Sequence, residues 1–160
     1  MKITHQLALA CALSFAVLFS ASPSQAHEIK LGNLVIHHPW IKQPPGSAAV
    51  AGAYTTIDNN GPENDTLISI SIEHVSTVQI HEMQTQGDVM KMTEMAKGLL
   101  IPAGKSMELK PKSSHIMLMG INSPFMEGEE VKGTFTFAKA GKVEVDFEVV
   151  APGADAPMKH

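Results

Sequence analysis

Apolar residues in this chain recur mainly at every second position, the spacing of a strand with one buried face. The three-and-four spacing of an amphipathic helix is scarce. Residues 131–138 and 142–150 show the alternation most clearly. Phe135 and Phe137 share one face of the first, and Val143, Val145, Phe147 and Val149 share one face of the second. Lys139-Ala140-Gly141 is the turn between them, and the pair is expected to supply much of the core. Residues 65–73 alternate through Leu67, Ile68, Ile70 and Ile72, and residues 28–36 more loosely through Ile29, Leu31, Leu34 and Ile36. Ala53-Tyr54-Thr55-Thr56-Ile57 is β-prone, residues 75–83 form a strand expected to end at Met83, and residues 89–92, 99–101, 106–110 and 115–119 form short ones.

Turn residues punctuate these runs. Asn59-Asn60-Gly61-Pro62, Gln86-Gly87-Asp88, Pro102-Ala103-Gly104-Lys105 and Pro111-Lys112-Ser113-Ser114 read as turns, and Gln43-Pro44-Pro45-Gly46-Ser47 as a loop. Pro39 lacks an N–H and should interrupt or end the pairing of its strand. Residues 95–98 favour no element. Many short strands with frequent turns predict an all-β sandwich or barrel. Residues 151–160, with Pro152, Gly153 and Pro157, read as a flexible C-terminal tail.

The amino terminus breaks this pattern. Lys2 precedes an apolar run at residues 7–19, too short for a stable membrane span, and Ser24-Gln25-Ala26 offers small residues for a signal peptidase. Residues 1–26 are therefore expected to be a cleaved secretory signal peptide, residues 27–150 a single β-sandwich domain, and 151–160 the tail. Ala8-Leu9-Ala10 before Cys11 is a poor lipoprotein box and comes early in the segment. Cys11 is the sole cysteine and would leave with the leader. The mature protein could then form no disulfide in an oxidising periplasm, and no blue-copper site, which needs a thiolate. A formal net charge of −4 without any arginine argues against nucleic-acid binding.

Candidate chemistry lies between His81 and Met119. Of ten methionines, Met83, Met90, Met92, Met95, Met107, Met117 and Met119 fall in this stretch. At strand spacing His81 and Met83 share a face, as do Met90 and Met92, and His115, Met117 and Met119. Methionine is an ordinary core filler, so one His-x-Met pair would mean little. Two such pairs, with only Glu82, Asp88 and Glu94 as hard ligands nearby, point to a soft-metal site. Zinc prefers Cys, His and carboxylate, and calcium needs many oxygens. Imidazole with thioether selects Cu(I). Thioethers are immune to disulfide formation and hold Cu(I) less firmly than thiolates, which suits a carrier.

The chain resembles the periplasmic PCuAC-type copper chaperones over nearly all of residues 27–160. The resemblance rests on His38-Pro39-Trp40, Pro44-Pro45-Gly46, Ala53-Tyr54, Asn59-Asn60-Gly61, His81-Glu82-Met83, Val89-Met90-Lys91-Met92, Pro102-Ala103-Gly104, Leu109-Lys110-Pro111 and His115-Ile116-Met117-Leu118-Met119-Gly120. The family pattern is a His, ten residues, a Met, about twenty-one residues, then His-x-Met. Positions 82–91 separate His81 from Met92, and positions 93–114 separate Met92 from His115, one residue more than the pattern. The extra residue is expected in the 95–101 stretch. The resemblance implies His81, Met92, His115 and Met117 as Cu(I) ligands, with Met83, Met90 and Met119 as supporting or secondary positions. Spacing alone leaves Met90 open as an alternative to Met92. The resemblance also implies a cupredoxin-like, Ig-like Greek-key sandwich, and delivery of Cu(I) to the copper centre of cytochrome c oxidase subunit II beside a Sco-type protein; the protein is expected to be a monomer without enzymatic activity.

Two other functions compete. Cleavage after Ala26 would free the amine of His27, which with its imidazole could chelate Cu(II), helped by His37 or His38. That arrangement would serve a Cu(II) redox enzyme or a copper-resistance or storage protein. Met158 and His160 could recruit copper at the other terminus. An Ig-like interaction module with purely structural methionines is the third reading. No triad, paired-carboxylate or phosphate-loop signature supports other catalysis.

Overall fold

A computed structural model describes residues 28–154. Every regular element in it is a strand: β1 (Glu28–Leu31), β2 (Leu34–Lys42), β3 (Val50–Asn59), β4 (Asp65–Ile72), β5 (Val75–Gln86), β6 (Val89–Glu94), β7 (Leu99–Ile101), β8 (Ser106–Leu109), β9 (His115–Ile121), β10 (Glu130–Phe137) and β11 (Gly141–Val150). Pairing runs without a break in the order β6-β5-β9-β3-β2-β11-β10-β4-β7, with β1 added to β2 and β8 to β3. All pairs are antiparallel except β2 with β11, so the sheet is mixed. This is the expected all-β, cupredoxin-like or Ig-like sandwich. Among the described residues no helix is long and apolar enough to cross a membrane.

The sheet wraps a single large core. Its fully buried side chains include Ile36 and Ile41 of β2, Ile57 of β3, Leu67 of β4, Ile101 of β7, Ile116 and Leu118 of β9, Phe135 of β10, and Phe147 of β11. Each contributes about 1.5–3 kcal/mol by leaving water. The β10–β11 alternation places Phe135 beside Phe147, with ring centroids 5.7 Å apart, as a two-residue period requires. Gly133 has to be glycine, because a Cβ there would sit 2.7 Å from the Phe147 ring.

Three local readings change. Residues 28–36 are two strands, since Gly32 turns at φ 59° and β1 folds back on β2. Met83 does not end β5, which continues to Gln86 and pairs with β6 around Gly87 at φ 63°. Ile68 is exposed although the alternation suggested a core position. A register shift between β4 and β10 pairs Thr136 with Ser69 but Phe137 with Leu67, and the bulged Ile68 is turned out.

Pro39 interrupts pairing without ending β2. The register with β3 slips between His37 and Trp40, and His38 adopts φ 41°. The extra residue changes which side chains face inward. Leu34 and Ile36 point to the core before the bulge and Ile41 after it, so Trp40 turns to the outer face opposite Tyr54. Trp40 and Tyr54 stack there at 4.4 Å, apart from the main core and together with Val150.

Candidate metal centre

The candidate residues meet on the outer face of β5 and β9. Ile80, Ile116 and Leu118 point to the core, so their neighbours must point away from it. Cross-strand pairing sets His81 directly opposite His115, Gln79 opposite Met117, and Thr77 opposite Met119. The two imidazoles stand edge to face with ring centroids 5.9 Å apart. On the far side of β5, Met83 is opposite Met92, Thr85 opposite Met90, and Glu94 opposite His81. Parity puts all of these on the histidine face. Met92 is one diagonal step from His81, while Met90 lies two residues farther out along β6, about 7 Å. Register thus separates two methionines that spacing along the chain left equivalent.

The hydrogen bonds leave one free lone pair on each ring. His115 is 7 % exposed, and its Nδ1–H donates to the carbonyl of Ser113 at 2.9 Å, which leaves Nε2 as the acceptor nitrogen. His81 Nε2–H donates to Gln79 Oε1 at 2.9 Å, which leaves Nδ1. That Nδ1 is buried and has no hydrogen-bond partner. A buried, unpaired nitrogen costs about 1–3 kcal/mol, and a cation at that point would satisfy it. An imidazole whose other nitrogen is tied to a carbonyl has the arrangement metal-bound histidines adopt.

The neighbourhood is poor in hard donors. Among the described residues no three His, Cys, Asp or Glu side chains converge as a metal-binding group. Glu94 is level with His81 but belongs to the fully exposed strand β6. Besides Glu94, the groups that this face offers an ion at the imidazole pair are the thioethers of Met117, Met92, Met83 and Met119. Met95 and Met107 do something else, since both pack against the core.

Sequence reasoning overlooked three contributors. Gln79 fixes the His81 ring, and its position two residues before His81 on a strand was a signal for it. The Ser113 carbonyl fixes His115, and a backbone acceptor leaves no trace in side-chain spacing. The third is Tyr54. Ala53 pairs with Ile116 and Gly52 with Met117, so Tyr54 stands level with His115. Its ring lies back over Gly52, where a Cβ would come 2.3 Å from the Tyr54 hydroxyl oxygen. The Tyr54 ring therefore lies over Gly52, the residue paired with Met117, on the β3 side of the site. His37 and His38 are not at the site: His37 is held by Asp58 at 2.8 Å and Glu28 at 3.1 Å. His27, Met158 and His160 lie outside the described residues, as does the leader.

A cysteine-free, cupredoxin-like sandwich with an imidazole–thioether face defines the class. The chain belongs to the LpqE-like family ("Putative lipoprotein LpqE-like"), whose pattern matches residues 34–149, and its domain is of the PCuAC type. Among solved structures, the copper-bound PCuAC domain of PmoF2 is 27 % identical, with a TM-score of 0.68 over 79 % of this chain and 99 % of that one. The Cu(I) form of DR1885 from Deinococcus radiodurans shares the fold at 23 % identity and TM-score 0.58, over 79 % of this chain and 83 % of that one. Lxx21020 of Leifsonia xyli subsp. xyli, also named as a lipoprotein, is 25 % identical over 86 % of this chain and 82 % of its own length.

Proposed function

We propose that this protein is an exported copper chaperone that binds one Cu(I) through His81, Met92, His115 and Met117. The observation that carries the proposal is the facing His81–His115 pair, in which the buried Nδ1 of His81 lacks any partner and thioethers occupy the same face. A PCuAC domain with copper bound, 27 % identical to this chain, supports the choice of metal. Neutral soft donors stabilise the monovalent ion and release it to a thiolate acceptor more readily than a cysteine site would. The half-exposed Met92, at 45 %, leaves one side of the site open to an incoming ligand. Copper is cargo here, and the residues bind and release it without catalysis. We further assign as acceptor the copper centre of cytochrome c oxidase subunit II, with a Sco-type protein beside it, in the periplasm.

Competition for Cu(I) against a chromophoric chelator tests the ligand set. The parent should take one tight equivalent. His115→Ala and Met117→Ala should weaken it at least tenfold, Met92→Leu should weaken it, and Met90→Leu should leave that equivalent unchanged. Parent-like affinity in folded Met117→Ala would refute the assignment. Transfer of Cu(I) from the loaded protein to the apo soluble domain of subunit II tests the acceptor.

A further inference from the structure

The β5–β6 hairpin extends past the sandwich. Pairing of β5 with β9 stops at the His81–His115 pair, but β5 runs on to Gln86 and is paired there only with β6. One face of this two-stranded arm carries Met83, Met90 and Met92, with Thr85 and Glu94. Met83 and Met92 are directly opposite, so their Cβ atoms lie about 4.5–5.5 Å apart, and Met90 sits on the diagonal from Met83 at about 7–8 Å. Met90 is 56 % exposed and Met92 45 %. Long unbranched apolar side chains exposed at a sheet edge add nothing to the core. Thioethers gathered there in reach of one another are a donor set.

The geometry points to a second, weaker site for a soft monovalent cation on the arm, formed by Met83, Met90 and Met92. It rests on the reading of the His81–His115 site as a Cu(I) site and shares Met92 with it. Three thioethers hold Cu(I) or Ag(I), and no hard ion, because the arm face offers little oxygen. Met92 stands diagonal to both His81 and Thr85, between the imidazoles and Met90. An ion caught by Met90 and Met83 at the exposed end can add Met92, then exchange the outer thioethers for His81 Nδ1 and His115 Nε2. It keeps at least one sulfur throughout, and no electron or proton is transferred. When the inner site is full, Met83 and Met90 remain for a second ion.

Ag(I) titration of the whole mature chain, with carbon-13 in the methionine methyls and nitrogen-15 in the imidazoles, tests this. The first equivalent should move the His81 and His115 ring nitrogens with the Met117 and Met92 methyls. A second should move the Met83 and Met90 methyls in a separate, weaker phase. Met83→Leu/Met90→Leu should abolish the second phase and slow uptake of the first at least threefold. If the Met83 and Met90 methyls stay still through two equivalents, or the second phase persists in the double variant, the arm site is refuted. Still imidazole signals with moving arm methyls would refute the histidine site and leave the arm standing.

Discussion

Replacing Gln79 by Leu removes the acceptor that orients His81. Gln79 Oε1 takes the Nε2–H at 2.9 Å, and this bond sets the tautomer that leaves Nδ1 bare. Leucine keeps similar volume and tolerates a strand, so β5 should still pair with β9. The unbound ring is then free to turn or to protonate its other nitrogen, and the ion must reorder it on binding. Loss of such a supporting hydrogen bond typically costs 10–100-fold in metal affinity, or about 1.4–2.7 kcal/mol. Chelator competition should show Gln79→Leu weakened by that factor, while His81→Ala, which loses the donor itself, falls further. Gln79→Leu added to His81→Ala should cost much less than in the parent, since the one hydrogen bond from Gln79 to a proposed ligand is the bond to His81. Parent-like affinity in Gln79→Leu, or equal losses in the parent and His81→Ala backgrounds, would refute the reasoning.

Local geometry sets two other outcomes. Gly52→Ala puts a Cβ 2.3 Å from the Tyr54 hydroxyl oxygen and 2.9 Å from its Cζ, so the ring must swing off the sheet and part from Trp40. Overpacking of this kind costs about 1–3 kcal/mol, and emission from the chain's sole tryptophan should shift; an unchanged spectrum and melting point would count against the stacked arrangement. Asp58 is held below its ordinary carboxylate value by the Ser106 hydrogen bond and then by His37, against partial desolvation. A depressed value means stability present above the unfolded pKa of 3.8 and lost as pH falls through the folded one. Asp58→Asn should therefore be less stable by about 1 kcal/mol or less at pH 7, with the gap closing in melting curves as pH falls below 3.8; a gap independent of pH would contradict it.

The strand alternation at Phe135–Phe137 and Val143–Phe147 carried the fold class, because a half-buried strand must repeat every two residues and a helix cannot. The turns at Gly87 and Asn59-Asn60-Gly61 were equally local, and the structure has them. Where a strand gained a residue, pattern reading failed. The bulges at Ile68 and at His38-Pro39 invert the facing of the residues beyond them, and only the partner strand decides that a residue is extra. The same limit applied to the site.

The sequence by itself determined the donor chemistry. It offered imidazoles and thioethers at strand spacing, and few hard ligands within reach. It therefore pointed to a class of ion. Tertiary structure decided which donors are neighbours. His81 and His115 are 34 positions apart along the chain, and only the β5–β9 register makes them face one another. The β5–β6 register alone places Met92 one step from His81 and Met90 farther along the arm. Sequence periodicity assigns a side chain to one of two faces, but its place along that face comes from hydrogen bonds between strands, which the spacing of residues on one strand does not encode.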